Sequence, residues 1–171
     1  MLKAKFGTKS TWKWEQWRKN QHGKYVLYDG WVETNITTDE GVTHALDAVF
    51  SGGEQKSEWY TAIFSGEYTP LAADTYQSPG YTEITDYDEG ARPTWQEAGV
   101  AAKSLTNASN RASFTMNATK TVGGGALVSA STKGDAVSGE ILYCASEFSV
   151  PKNVENEDVL KVTVVIAGQD V

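Results

Sequence analysis

Hydrophobic and polar residues alternate along much of this chain, and the alternation predicts strands. Residues 11–20 place Trp12 and Trp14 on one side of an extended segment and charged residues on the other. That is the pattern of a half-buried strand. A glycine-containing turn follows, and aromatic and apolar residues resume over 24–32. Two aromatic strands around such a loop predict a β-hairpin.

One segment has the spacing of a helix instead. Thr37 and Glu40 have the separation of a capping box, and Gly52 and Gly53 stand where a helix would stop. These signals predict a single helix at about residues 38–51. The apolar residues at helical spacing are Val42, Ala45, Leu46, Val49 and Phe50.

The rest of the chain has the pattern of short strands separated by turn-forming residues. Short strands with one helix predict an all-β fold, a β-sandwich of the Ig-like or jelly-roll-like kind. The last strand is expected to pair with an earlier one. The glycine run 123–125 inside a strand pattern predicts a bulge or a close approach of two backbones. The predicted strands are 58–64, 81–87, 94–98, 112–118, 122–129, 141–148 and 159–166.

Charge divides the chain into a basic N-terminal segment and an acidic remainder. The first 24 residues carry a net charge of +6 and the other 147 carry −13, and four of the six tryptophans lie within the first 31 residues. We interpret residues 1–36 as a basic, tryptophan-rich hairpin arm, and residues 37–171 as the sandwich body. The candidate partner-binding residues of the arm are Lys5, Trp12, Trp14, Trp17, Arg18, Lys19 and Lys24.

The arm has three candidate binding partners. It could cross the acidic surface of a neighbouring subunit, or it could pack on its own body, because an isolated hairpin is marginal in water. Interleaved tryptophans and cations would also suit single-stranded nucleic acid. The net charge of −7 disfavours nucleic-acid binding by the body. We therefore favour docking onto another protein.

No motif in the sequence predicts an enzyme, a cofactor site or a metal site. Two histidines and the single Cys144 do not make a zinc set, and the acidic residues at 86–90 lack EF-hand spacing. Glu83 and Glu97, each near aromatic residues, are the only carboxylates that we considered for glycosidase-type chemistry. Cys144 is expected to be a buried small residue. No apolar run reaches the length of about 20 residues that a membrane helix needs.

A series of short motifs between residues 37 and 166 carries a resemblance to known proteins. The motifs are the helix at 41–50 with its two glycines, WYTAIF at 59–64, DTY at 74–76, GYTE at 80–83, YDE at 87–89, RPTW at 92–95, FTMNA at 114–118, the glycine-rich strand ending at 128, STKG at 131–134 and DVLKVTV at 158–164. In these the chain resembles small virion-associated structural proteins of tailed bacteriophages.

The resemblance implies a protein of the virion that is made in the host bacterial cytoplasm and has no catalytic motif. The expected role is capsid decoration or cement, with the N-terminal arm binding the major capsid protein or another virion subunit. A homo-oligomer is expected, without membrane, cofactor or nucleic acid. Two alternatives stay open, a collar or tail accessory subunit and a receptor- or glycan-binding module on the virion surface.

Overall fold

The computed structural model describes residues 7–169 and has two antiparallel sheets with one short helix between strands. The predicted all-β sandwich is confirmed. The helix α1 spans Asp39–Leu46 and continues as one π-helical stretch, Asp47–Ser51. The strands are β1 (Gly7–Lys19), β2 (Tyr25–Thr34), β3 (Ile36–Thr37), β4 (Tyr60–Ser65), β5 (Thr82–Glu83), β6 (Ser104–Thr106), β7 (Ala112–Thr115), β8 (Lys120–Val128), β9 (Leu142–Val154) and β10 (Val159–Gln169).

The last strand pairs with the first, so the N-terminal strand lies inside a sheet. The first sheet has the order β2-β1-β10-β6, with β7 also on β10, and the second has the order β3-β9-β8-β4-β5. The predicted hairpin of β1 and β2 is confirmed. On its other side β1 pairs with β10 from Gly7–Gln169 to Trp17–Val159. A strand with a neighbour on each side is not a separate arm, so the division at residue 36 is wrong for residues 7–36.

The core lies between the two sheets and is built around tryptophan. Trp12 and Trp14 are both 0% exposed. The Trp14 ring stacks on Trp12 and on Trp31, with centroids 5.7 Å and 6.4 Å away, and meets Phe148 edge-on at 4.9 Å. The side of β1 that the alternation predicted to be apolar therefore faces the interior. Cys144 is buried as expected, and burial raises the pKa of its thiol to about 12.

The helix is held against the second sheet at its N-terminus. Its cap is Thr38 and not Thr37 as the capping box predicted, because the Thr38 hydroxyl accepts the N–H of Gly41 at 3.0 Å. Glu40 does not complete a capping box and instead accepts the N–H of Leu142 at 2.7 Å. The helix therefore lies directly on the start of β9.

The glycine run in β8 lies where other groups approach the backbone, as predicted. A Cβ atom at Gly125 would lie 2.6 Å from Cζ2 of Trp14. The register between β8 and β9 also shifts between Val122 and Gly124, which is an irregularity of the bulge type. β8 therefore has glycine at position 125, where the buried indole of Trp14 leaves no room for a side chain.

Several predicted strands are shorter in the structure or form only single bridges. The segment 81–87 contributes β5 and one bridge from Tyr87, and the segment 94–98 contributes one bridge from Thr94. The sequence did not predict β3 and β6, which have two and three residues. Strands of that length show no periodicity.

Candidate protein interface

The predicted partner-binding residues divide between the core and the surface. Trp12 and Trp14 are fully buried, so they offer no surface to a partner while the fold is intact. Trp17 is half-buried, and Lys24 is exposed in the hairpin turn. Lys5 lies outside the described residues. Of the tryptophans assigned to partner binding, only Trp17 keeps an accessible surface.

Arg18 and Lys19 bind acidic residues of the same chain. Arg18 donates from Nε and Nη2 to the two carboxylate oxygens of Asp158, at 2.8 Å and 2.7 Å. Its Nη1 lies 3.1 Å from a carboxylate oxygen of Glu155, and Lys19 Nζ lies 3.1 Å from Glu157. The opposite charges that suggested an acidic neighbour thus meet within one chain, at the loop between β9 and β10.

Asp158 is the buried centre of this charge cluster, with 2% of its surface exposed. Burial acts to raise its pKa, but hydrogen bonds from Arg18 and Gln16 and from the N–H of Glu155 act against it, and the pKa is held below its usual value. The Gln16 amide donates at 2.6 Å. The cluster is therefore a clamp that fastens β1 to the β9–β10 loop.

β2 is an open edge of the first sheet. Its one strand neighbour is β1, and no other described strand pairs with its far side. It has ten residues, whereas the other strands at the ends of the two sheets have two to four. The inner face of β2 is fastened to β9, where Lys152 lies 2.9 Å from Asp29 and the N–H of Ser149 donates to Glu33 at 2.9 Å. An unpaired edge offers main-chain donors and acceptors to another chain.

Large apolar side chains lie exposed along this edge. In the register Leu27 is opposite Trp17 and Val32 is opposite Lys13, on the face of the sheet away from the buried Trp14. Leu27 is 55% exposed and Val32 is 59% exposed. Exposed apolar side chains that lie close together are frequent at protein-interaction sites. We call this patch the β2 surface, and it comprises Tyr25, Val26, Leu27, Tyr28 and Val32.

The sequence analysis placed the interface on the tryptophans of β1 and missed the β2 surface. A signal was available, because the run from Tyr25 to Tyr28 is apolar or aromatic at every position and does not alternate. The structure accounts for it: all four residues are exposed, and the β1–β2 register shifts between Gln16 and Trp17. The bulge leaves Tyr28 without a partner on β1, while Tyr25, Val26 and Leu27 stay in alternating register, so side chains on both faces of this end of β2 are exposed.

Glu83, one of the two carboxylates considered for catalysis, is the counterion of a buried arginine. Arg92, whose side chain is 2% exposed, donates from Nε and Nη2 to the two oxygens of Glu83 at 2.8 Å and 2.7 Å. Its Nη1 donates to the hydroxyl of Tyr76 at 2.6 Å and to the carbonyl of Ala130 at 2.9 Å. Tyr76 also donates to Asp135, and burial together with that bond raises the pKa of Tyr76 to about 12. This cluster joins the loops around β5.

Glu97 lies in a different cavity from Glu83, so the structure does not bring the two carboxylates together. Glu97 is exposed and accepts the N–H of Gly99 at 3.3 Å. Over the described part of the chain, no group of three or more His, Cys, Asp or Glu side chains is placed to hold a metal ion. Within residues 7–169, no helix has the length and apolarity needed to cross a membrane.

No protein-family model matches the chain, and no curated protein matches it significantly. The resemblance to virion proteins of tailed phages therefore stays a prediction from the sequence.

Proposed function

We propose that the protein is a structural subunit of a bacteriophage virion that decorates the capsid and docks through the β2 surface. The observation that carries the docking is the ten-residue open edge with five exposed large apolar residues. The sequence motifs between residues 37 and 166 support the virion assignment. The partner is the major capsid protein or another virion subunit, which would add a strand to β2.

The energetics of such a contact suit a subunit that binds in many copies. Each main-chain hydrogen bond gained by strand addition contributes about 0.5–1.5 kcal/mol net. Complete burial of Leu27 and Val32, each already partly covered, adds at most about 1.5–3 kcal/mol apiece. Association costs about 4–15 kcal/mol in lost freedom. One contact is then modest, and repeated contacts on one lattice bind strongly by avidity.

A binding experiment with edge variants tests the docking. Purified protein is mixed with particles of the phage that encodes it, and bound protein is measured after sedimentation. We expect Leu27→Lys with Val32→Lys to weaken binding by about 100-fold or more, because two charges must be desolvated against the partner. The matched control is Val49→Lys, which changes an apolar residue of the helix that is 71% exposed.

Thermal unfolding of the variants separates docking from folding. All three substituted side chains are more than half exposed, so the melting temperatures should stay close to that of the wild type. A folded edge variant that still binds particles normally would show that docking lies elsewhere. Wild-type protein that binds no part of the particle would overturn the virion assignment itself.

The location of the subunit on the particle distinguishes decoration from the collar or tail alternative. Electron microscopy of particles that carry the protein with a small fused domain would show the extra density. We expect density over the whole head surface. A single ring of density at the neck, or density along the tail, would replace decoration by an accessory role without changing the docking edge.

A further inference from the structure

A cleft opens between the two sheets on the side away from the β2 surface. Its wall includes Leu105 of β6, and β6 is separated from β2 by β10 and β1 in the first sheet. The outer part has a volume of about 820 Å³, and a smaller inner pocket of about 210 Å³ lies beneath α1. Volumes of about 300–1,000 Å³ are typical of small-molecule sites. The two parts share Gln55, Lys56, Trp59, Trp95 and Leu105.

Two tryptophans form the floor of this cleft and are held in place by the fold. The Trp59 ring packs against His44 and Tyr143 in edge contacts, with centroids 5.8 Å and 5.5 Å away. The carbonyl of Trp59 accepts the N–H of Trp95 at 2.7 Å, and the Trp95 indole donates to the carbonyl of Val164 at 3.3 Å. Trp59 stays partly exposed. An aromatic surface that is fixed beforehand loses little freedom when a ligand stacks on it.

The rim of the outer cleft is polar and mostly uncharged. Its single cation, Lys56, is paired with Glu140 at 3.3 Å. Glu58 accepts the hydroxyl of Tyr60 at 2.6 Å. Glu97, Gln55 and Gln96 are exposed residues. The polar side chains of the rim are Gln55, Lys56, Ser57, Glu58, Thr94, Gln96 and Glu97.

The residues of the floor and rim disfavour two classes of ligand, anionic and wholly apolar. An anionic ligand would face Glu58 and Glu97, with one lysine that is already paired. A wholly apolar ligand would take the rim groups out of water without replacing their hydrogen bonds. A neutral sugar meets both demands, because its C–H face packs on indole while its hydroxyls donate to carboxylates and exchange hydrogen bonds with amides.

We propose that this cleft binds a neutral saccharide, with Trp59 as the stacking surface and with Gln96 and Glu97 as hydroxyl partners. The proposal does not depend on the β2 surface or on a virion location. It assigns a second site to the chain.

The test is a titration of the full-length protein with neutral oligosaccharides. The probes are maltotriose, cellotriose, mannotriose and N,N′,N″-triacetylchitotriose, with sialyllactose as the anionic comparison, and the readouts are tryptophan fluorescence and calorimetry. We expect at least one neutral trisaccharide to bind with a dissociation constant in the millimolar range or below. Trp59→Ala should weaken it by about tenfold or more, and Glu97→Ala by about threefold or more.

Two variants keep the result interpretable. Glu97 is exposed, so Glu97→Ala tests the site even if the loss of Trp59 disturbs folding. Trp17→Ala is the matched control, since it removes an indole from the outer face of the first sheet and should leave saccharide affinity unchanged. Failure of every neutral probe at millimolar concentration would overturn the proposal. So would preferential binding of sialyllactose, or binding that neither cleft variant changes.

Discussion

Replacing Trp14 by alanine tests whether the N-terminal strand belongs to the core of the fold. The ring is 0% exposed, stacks on Trp12 and Trp31, and meets Phe148 edge-on. If the strand were an arm on an independent body, its loss would leave the stability of that body unchanged. If it is the central strand that pairs with β10, the loss should destabilise the whole domain.

The magnitude follows from the burial of Trp14. A buried aromatic side chain removes roughly 150–250 Å² from water, which at about 25 cal/mol per Å² is about 4–6 kcal/mol. Its indole N–H has no hydrogen-bond partner in the described structure, so its removal recovers about 1 kcal/mol of desolvation. We expect a net loss of about 4 kcal/mol, within the range of about 3–5 kcal/mol for such truncations. A small domain has only about 5–15 kcal/mol in total.

Trp17 gives a matched comparison on the same strand. It is half-buried, donates to Glu15 at 3.1 Å and lies under Lys161 at 4.9 Å, so Trp17→Ala should cost only about 1–2 kcal/mol. Urea unfolding followed by far-UV circular dichroism gives both free energies, provided that the slopes agree. A loss for Trp14→Ala below about 1 kcal/mol, or below that of Trp17→Ala, would refute the core assignment.

Two further expectations concern the charge clamp and the glycine run. Asp158→Asn should cost about 2–3 kcal/mol at neutral pH, less than a fully buried pair because Arg18 is 23% exposed. Folding lowers the pKa of Asp158, so its contribution to stability is complete above the unfolded pKa of about 3.9 and is lost as the pH falls through the folded pKa. Chemical unfolding below pH 4 should therefore show that the free energy of unfolding falls less steeply with pH in the variant than in the wild type. Gly125→Ala should cost about 1–3 kcal/mol in urea because its Cβ would crowd Trp14, whereas Gly90→Ala, with open space around it, should stay within about 0.5 kcal/mol.

Local patterns in the sequence predicted the sandwich because its long strands each bury one face. In β1 the alternation that begins at Trp12 survives to Gln16, and all three alternate positions are buried. The strand and the side that faces inward could therefore be predicted. The interpretation of residues 1–36 as a separate arm rested on their positive charge. Arg18 pairs with Asp158, which is 140 residues away in the sequence, and this pairing depends on the whole fold. No local pattern reports such a distance.

The segment around Tyr87 shows how a pattern of alternation can mislead. Residues 81–87 alternate as a strand would, yet only two of them pair in β5. Tyr87 is buried edge-on against Phe114 at 5.1 Å, and it joins Met116 through a single bridge. Aromatic residues at alternate positions can thus anchor a loop that crosses the core. Length and alternation alone do not separate this case from a paired strand.

The two proposed sites lie at opposite edges of the first sheet, at β2 and at β6, so their effects are separable. A partner strand added to β2 would leave β6, and with it the cleft at Trp59, on the far side of β1 and β10. A docked subunit could therefore present its cleft to solvent. Under both proposals, edge variants at Leu27 and Val32 lose particle binding and keep saccharide affinity, and Trp59→Ala does the reverse. Loss of both functions in either folded variant would mean that the two surfaces are coupled or are one site.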